Sequence, residues 1–192
     1  TFGQTQSSLI SEKTVLLAHP TVSTLKVIHT LHHKGLVDLS EYNLIGVYHE
    51  LETYDYSQSE NMIDTISGMN FRLIELKDSV HADSIFIQNH LTGPDIPPAL
   101  YNEKTHTRTL ISDTYRHYWE VSFLFHLLGG YQNPEWEAWL EQRPDYIIHG
   151  ICLGLQTMNV ATGGTLIQDI PAEVYDANTA DETVKLGRTN LH

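Results

Sequence analysis

Short apolar runs alternate with stretches of helical periodicity along this 192-residue chain, and that alternation limits the fold more than any other feature. A short apolar run followed by apolar residues at helical spacing is typical of a strand and then a helix. Repeated units of this kind pair their strands in parallel and place helices on both faces of the sheet. The sequence therefore predicts an α/β fold with a doubly wound, mostly parallel sheet. The predicted strands cover 15–18, 43–48, 71–76 and 84–87, and a fifth ends near residue 150.

Helices are predicted between these strands and after the last one. Those ahead of the fifth strand are predicted over 22–35, 57–68, 113–128 and 134–141.

The length of the chain and the absence of repeats indicate one domain over 1–192, with an N-terminal extension over about residues 1–40. The chain opens at Thr1. The cytoplasm is the favoured compartment, and a periplasmic or secreted location follows if a signal peptide has been removed before Thr1.

The charge balance limits the partners that the chain can take. It carries 11 Lys and Arg against 24 Asp and Glu, a formal net charge of -13, without a basic run. This excess of negative charge repels nucleic acid and acidic membrane surfaces. No apolar stretch approaches the roughly 20 residues of a membrane-spanning helix, and one cysteine cannot form an internal disulfide. A small-molecule partner is therefore expected, and a homodimer is left open.

The only cysteine lies where a predicted strand turns into a predicted helix. Gly150 and Gly154 flank Cys152, and small neighbours of this kind let the backbone turn sharply at a nucleophile elbow. At the start of a helix, unpaired amides and the positive end of the helix dipole favour the thiolate form. The alternative is that Cys152 is a small core residue. His149, beside the elbow, could line the same pocket or pack as an ordinary hydrogen-bonded histidine.

Two motifs, in residues 150–171 (GICLGLQTMNVATGGTLIQDIP) and 92–101 (TGPDIPPALY), resemble the class I glutamine amidotransferase superfamily. They are similar to its γ-glutamyl hydrolase branch, including enzymes of the γ-glutamyl-GABA hydrolase kind. The resemblance extends in outline over about 43–175, and the elbow itself covers 146–160. It implies a flavodoxin-like fold and a cysteine-dependent hydrolase that cleaves γ-glutamyl amide bonds of a small substrate through a thioester. It implies no cofactor and no metal.

The resemblance also assigns roles to individual residues. Cys152 would be the nucleophile, and the amide of Leu153, directly after it, is the natural first donor to the oxyanion. Gly93 would supply the second donor, because Pro94 has no N–H. Gln156, one helical turn after the cysteine, would help to hold the glutamyl group. Thr92 stands where the family usually has glycine, which matters if that position requires a positive φ.

The histidine that the family places in an H-P-E segment after the elbow has no counterpart in these 192 residues. We therefore expect the sheet to continue past His192, with the catalytic His and Glu in that part. The alternative is a non-catalytic, regulatory binding protein that lacks the base. A third interpretation is a metal-dependent hydrolase that uses three histidines of one predicted helix, His29, His32 and His33.

Other polar residues are interpreted without a catalytic role. Four residues of the motif are expected to be structural: Asn159, Thr165, Gln168 and Asp169. An exposed ion pair is expected between Arg116 and Glu120.

Overall fold

A computed structural model describes residues 14–40, 42–49, 51, 54–59, 70–75, 85–90, 95–144 and 146–187. Five strands pair in parallel within this part of the chain, in the order β3-β2-β1-β4-β5. Each one overlaps a strand predicted from the sequence, and the fold is α/β with a small parallel sheet. The strands are β1 (Thr14–Ala18), β2 (Asn43–Tyr48), β3 (Asn70–Glu75), β4 (Ile85–His90) and β5 (Ile148–Cys152).

Four of the five helices named in this paragraph begin after a residue whose side chain caps the first turn. Asp113 accepts a hydrogen bond from the Arg116 amide at the start of the second helix, which ends at Gly129 with φ 69°. Of the helix predicted over 57–68, residues 57–59 are helical and the rest lies outside the described residues. The helices are α1 (Val22–His33), α2 (Thr114–Leu128), α3 (Leu153–Ala161), α4 (Ile170–Tyr175) and α5 (Ala180–Leu186).

The helix predicted over 134–141 is wrong. Residues 134–135 form a turn, and a single 3-10 turn follows at Trp139–Gln142. The side chain of Asn133 accepts a hydrogen bond from the Glu135 amide at 3.2 Å. Such a side-chain bond offers the backbone an alternative to the helix ladder.

The two faces of strand β1 pack against different helices. Leu16 and Ala18 belong to a buried cluster with Phe123 and Leu127 of α2. Val15 and Leu17 point the other way and share a cluster that includes Leu25 of α1. The period of two along a strand produces this division, and the buried clusters on the two sides of β1 form the core.

Within the N-terminal segment over about residues 1–40, the structure describes β1 and α1, which overlap the strand and the helix predicted there. Strand β1 is the middle strand, hydrogen-bonded to β2 on one side and to β4 on the other. The strand order therefore reverses between β1 and β4. In open α/β sheets, ligands bind outside the carboxyl ends of the strands at such a reversal.

Candidate active site

Strand β5 passes directly into helix α3 at Cys152. This residue ends the strand at φ 54° and ψ -115°, and Leu153 begins the helix. A positive φ is costly for a residue with a Cβ, so such a backbone usually persists where function requires it. The side chain is exposed and forms no capping hydrogen bond. The junction thus presents a free thiol to solvent at the first turn of a helix.

Glycine at position 150 is required by the close packing of the strand against the helix. A Cβ there would lie 2.8 Å from both the carbonyl carbon of Gly154 and the amide nitrogen of Leu155, and 2.6 Å from the Met158 sulfur. The first two atoms are backbone and cannot move aside independently. Because Gly150 has no Cβ, strand β5 can pass this close to the first turn of helix α3.

The amide of Leu153 belongs to the first turn of α3, where N–H groups have no partner within the helix. The Leu153 side chain is buried and clusters with Ile96, Tyr101 and Val160. This cluster anchors the start of the helix on the segment that follows β4, so the structure brings the two predicted motifs together. Burial raises the pKa of the Tyr101 hydroxyl, which remains protonated at neutral pH. Gly93 and Thr92 lie outside the described residues.

A cavity of about 470 Å³ begins one helical turn from the cysteine. Gln156 lines it, and four residues of helix correspond to about 6 Å along the axis. Cys152 is not among the described residues of the wall. The described residues of the wall come from four segments of the chain: Asp95 and Ile96; Arg108 and Thr109; Gln156; and Leu166, Ile167, Gln168, Asp169, Ile170 and Pro171.

Gln168 ties one side of this cavity together. Its Oε1 accepts hydrogen bonds from the His106 amide at 2.8 Å and from the Thr109 hydroxyl at 2.9 Å. Its Nε2 donates to the Lys104 carbonyl at 2.8 Å. These hydrogen bonds hold the loop over 104–109 against the segment that follows α3, which is a structural role of the kind predicted for Gln168.

The neighbouring polar residues of the motif have comparable contacts. Asp169 caps helix α4 by accepting from the Ala172 amide at 3.3 Å, and its Oδ2 lies 2.9 Å from Nη1 of Arg108. Asn159 donates from Nδ2 to the Thr165 carbonyl at 2.8 Å. Of these residues, Arg108 and Asp169 belong to the cavity wall. Gln156 is the exposed polar side chain that the motif contributes to the same wall.

A buried polar cluster at the carboxyl end of β1 was not anticipated from the sequence. Nε of Arg116 and Nε2 of His19 each lie 3.2 Å from Oε1 of Glu120, and Nδ1 of His19 lies 3.0 Å from the Tyr56 hydroxyl. Arg116 is 6% and Glu120 1% exposed, so the expectation of an exposed pair is wrong. Trp119, which directly precedes Glu120 in the sequence, is buried as well. This large apolar residue is the sequence signal that could have indicated a buried face of the helix.

His117, on the same helix, is fully buried. Burial lowers the pKa of its imidazole from the ordinary value of 6.5, because the charged form loses its hydration. Arg116 lowers it further, whereas Glu120 opposes the effect. His117 is therefore a neutral core histidine at physiological pH.

The other histidines singled out from the sequence lie elsewhere. His149 is exposed and lines a separate, apolar cavity of about 240 Å³ beside α1. His32 accepts a hydrogen bond on Nδ1 from the Leu39 amide at 3.1 Å, and the His29 and His33 rings are in contact. Within the described ranges, no three His, Cys, Asp or Glu side chains are arranged to hold a metal ion.

None of the side chains that the structure describes forms a hydrogen bond or an ion pair with the thiol of Cys152. The described residues bring together an exposed sulfur, the amides of a helix start and, one helical turn away, a cavity. An acyl-transfer site needs each of these features, and it also needs a general base.

A cysteine at a strained strand-to-helix turn of an α/β fold is the arrangement expected of a thiol-dependent hydrolase or transferase. The family can be stated more narrowly, because the model of the peptidase C26 family matches residues 49–191, and the chain belongs to that family. These are class I glutamine amidotransferase-like γ-glutamyl hydrolases, which confirms the resemblance drawn from the two motifs.

At the level of the family, the activity is cysteine-type hydrolysis of γ-glutamyl bonds. Neither a curated protein nor a solved structure matches the chain. None of the helices in the described ranges is both long and apolar enough to cross a membrane.

Proposed function

We propose that the protein hydrolyses γ-glutamyl amides with Cys152 as the nucleophile. The observation that carries the proposal is the backbone of that residue, which is held at positive φ with its thiol exposed at a helix start. A structural cysteine has no need of this conformation, which costs on the order of 1–3 kcal/mol. An attacking group benefits from it because a side chain exposed at such a turn is accessible to a substrate.

The first half of the reaction forms a thioester. The sulfur of Cys152 bonds to the γ-carbonyl carbon, and the carbonyl oxygen becomes an oxyanion that accepts hydrogen bonds from the amides of Leu153 and Gly93. One such donor contributes about 3 kcal/mol to the transition state in other enzymes. The C–N bond then breaks, and the amine leaves with the proton given up by the thiol. Gln156 holds the glutamyl group from the cavity wall.

The second half restores the enzyme. Water adds to the thioester carbon, the C–S bond breaks, and glutamate leaves while the sulfur recovers its proton. A general base must activate the thiol and then the water. We assign this task to a histidine, oriented by a glutamate, outside the described residues, and we propose that the sheet is doubly wound.

The test is to incubate the purified protein with γ-glutamyl amides and look for glutamate release and for a γ-glutamyl adduct by intact-protein mass spectrometry. Cys152→Ser and Cys152→Ala are expected to lose turnover by several orders of magnitude while they remain folded. Turnover at the wild-type rate in Cys152→Ala would end the proposal.

A second candidate function is a non-catalytic γ-glutamyl-binding protein. The lack of a hydrogen-bonded base at the thiol within the described ranges favours it. A protein of this kind would bind γ-glutamyl amides in calorimetry without releasing glutamate, and it would react with iodoacetamide no faster than a free cysteine does. Faster alkylation together with glutamate release would exclude it.

A further inference from the structure

The cavity lined by Gln156, one helical turn from Cys152, has room for more than a glutamyl group. Its volume of about 470 Å³ falls within the range of about 300–1,000 Å³ that holds drug-sized ligands. A glutamyl group has five carbons, so its presence beside Gln156 leaves much of the space unfilled. The remaining part of an amide substrate is the amine that leaves, and the free space is suited to that group.

Most of the wall away from Gln156 is apolar. Ile96, Leu166 and Pro171 contribute to it, together with Ile167 and Ile170, which are 58% and 44% exposed. Exposed apolar side chains around a cavity mark surfaces that bind apolar groups. An apolar amine would remove these isoleucine side chains from water, and that burial favours its binding.

The charges in the wall disfavour an anionic amine. Arg108 is the one cation among the described wall residues, and its Nη1 lies 2.9 Å from Oδ2 of Asp169, which is 6% exposed. Asp95 adds a second carboxylate, whose Oδ2 accepts a hydrogen bond from the Leu110 amide at 2.7 Å. Asp95 has no ion-pair partner among the described residues. One guanidinium and two carboxylates leave the wall with a formal charge of -1.

We propose that this cavity receives the leaving amine and selects an uncharged, apolar amine over one that bears a carboxylate. The proposal rests on the function proposed above, because it concerns the second product of the same reaction. A carboxylate on the amine would approach Asp95, while the guanidinium of Arg108 is already engaged by Asp169. Like charges brought together during binding are costly, and the carboxylate would also lose hydration against the isoleucines.

Two substrates of matched length test the charge. One is γ-glutamyl-n-butylamide, and the other is the γ-glutamyl amide of 4-aminobutyrate, which differs by a terminal carboxylate. The butylamide is expected to have a kcat/KM at least about tenfold higher. Equal values, or a preference for the carboxylate-bearing amide that disappears in Arg108→Gln, would overturn the proposal.

Variants connect the preference to named side chains. Asp95→Asn keeps an oxygen that can accept from Leu110 and removes the charge, so the ratio between the two substrates should fall by about threefold or more. Ile167→Ser should lower kcat/KM for the butylamide more than for the acidic amide. Asp176→Asn makes the same charge change outside the cavity wall and should leave the ratio as it is. A fall of the same size in Asp176→Asn would mean that overall charge sets the preference, against the proposal.

Failure of the proposed function can be told apart from failure of this inference. If neither amide yields glutamate or an adduct, the hydrolase proposal fails, and calorimetry with Cys152→Ala still compares the binding of the two amides. Tighter binding of the butylamide supports the assigned cavity. Equal binding, tighter binding of the acidic amide, or no binding of either one overturns it. If both amides are hydrolysed equally well, the hydrolase stands and only the preference is lost.

Discussion

Removing the carboxylate of Glu120 should be among the most destabilising single changes in the protein. Oε1 of Glu120 lies 3.2 Å from both the Arg116 guanidinium and the His19 imidazole, and all three side chains are almost completely excluded from water. Glu120→Ala would leave the Arg116 charge buried without this carboxylate. Breaking a buried pair in this way costs about 3–5 kcal/mol, against about 0.3–0.5 kcal/mol for an exposed pair at the same i,i+4 spacing.

The assay is urea unfolding at pH 7 followed by tryptophan fluorescence and circular dichroism, with the free energy of unfolding extrapolated to water. Replacing both partners tests the same reasoning from the other side. Arg116→Met combined with Glu120→Leu removes both charges and keeps side chains of similar length, so the double variant should be more stable than Glu120→Ala. A loss below about 1 kcal/mol in Glu120→Ala would show that the pair behaves as an exposed one and would refute the argument.

Three further changes probe the elbow and the core. Cys152→Gly should be more stable than Cys152→Ala by about 1 kcal/mol in the same assay, because glycine adopts φ 54° without strain, and equal stabilities would contradict the strained elbow. Gly150→Ala should lower the free energy of unfolding by about 1–3 kcal/mol, since its Cβ would lie 2.8 Å from the Leu155 amide nitrogen, and an unchanged midpoint would contradict that close contact. Burial keeps the pKa of His117 below 6.5, so the unfolded chain binds a proton more readily, and stability should fall as the pH drops below about 6.5 and level off above it. His117→Leu should reduce this slope by at most about 1.4 kcal/mol per pH unit, and an identical slope in the variant would mean that other groups cause it.

The elbow could be read from the sequence because it depends on local chemistry. Gly150 and Cys152 lie two residues apart, within a single strand-to-helix turn. The close packing that excludes a Cβ at 150 and the backbone conformation at the exposed Cys152 both arise inside that turn. The ends of α2 were readable for the same reason, since Asp113 and Gly129 act on amides and carbonyls within one turn of themselves. The short range of these interactions is what makes them visible in the order of residues.

The sequence by itself thus determined the alternation of strands and helices, the strand-to-helix turn at Cys152 and the family of the chain. Only the tertiary structure decided that Arg116 and Glu120 are buried, because their exposure depends on whether His19 and Tyr56, distant in the chain, cover that face of the helix. The cavity was decided in the same way, since its wall comes from segments around 95, 108, 156 and 168. Local preference fixes how a segment bends, whereas burial and the shape of a cavity are properties of the contacts between segments, and those exist only after the chain has folded.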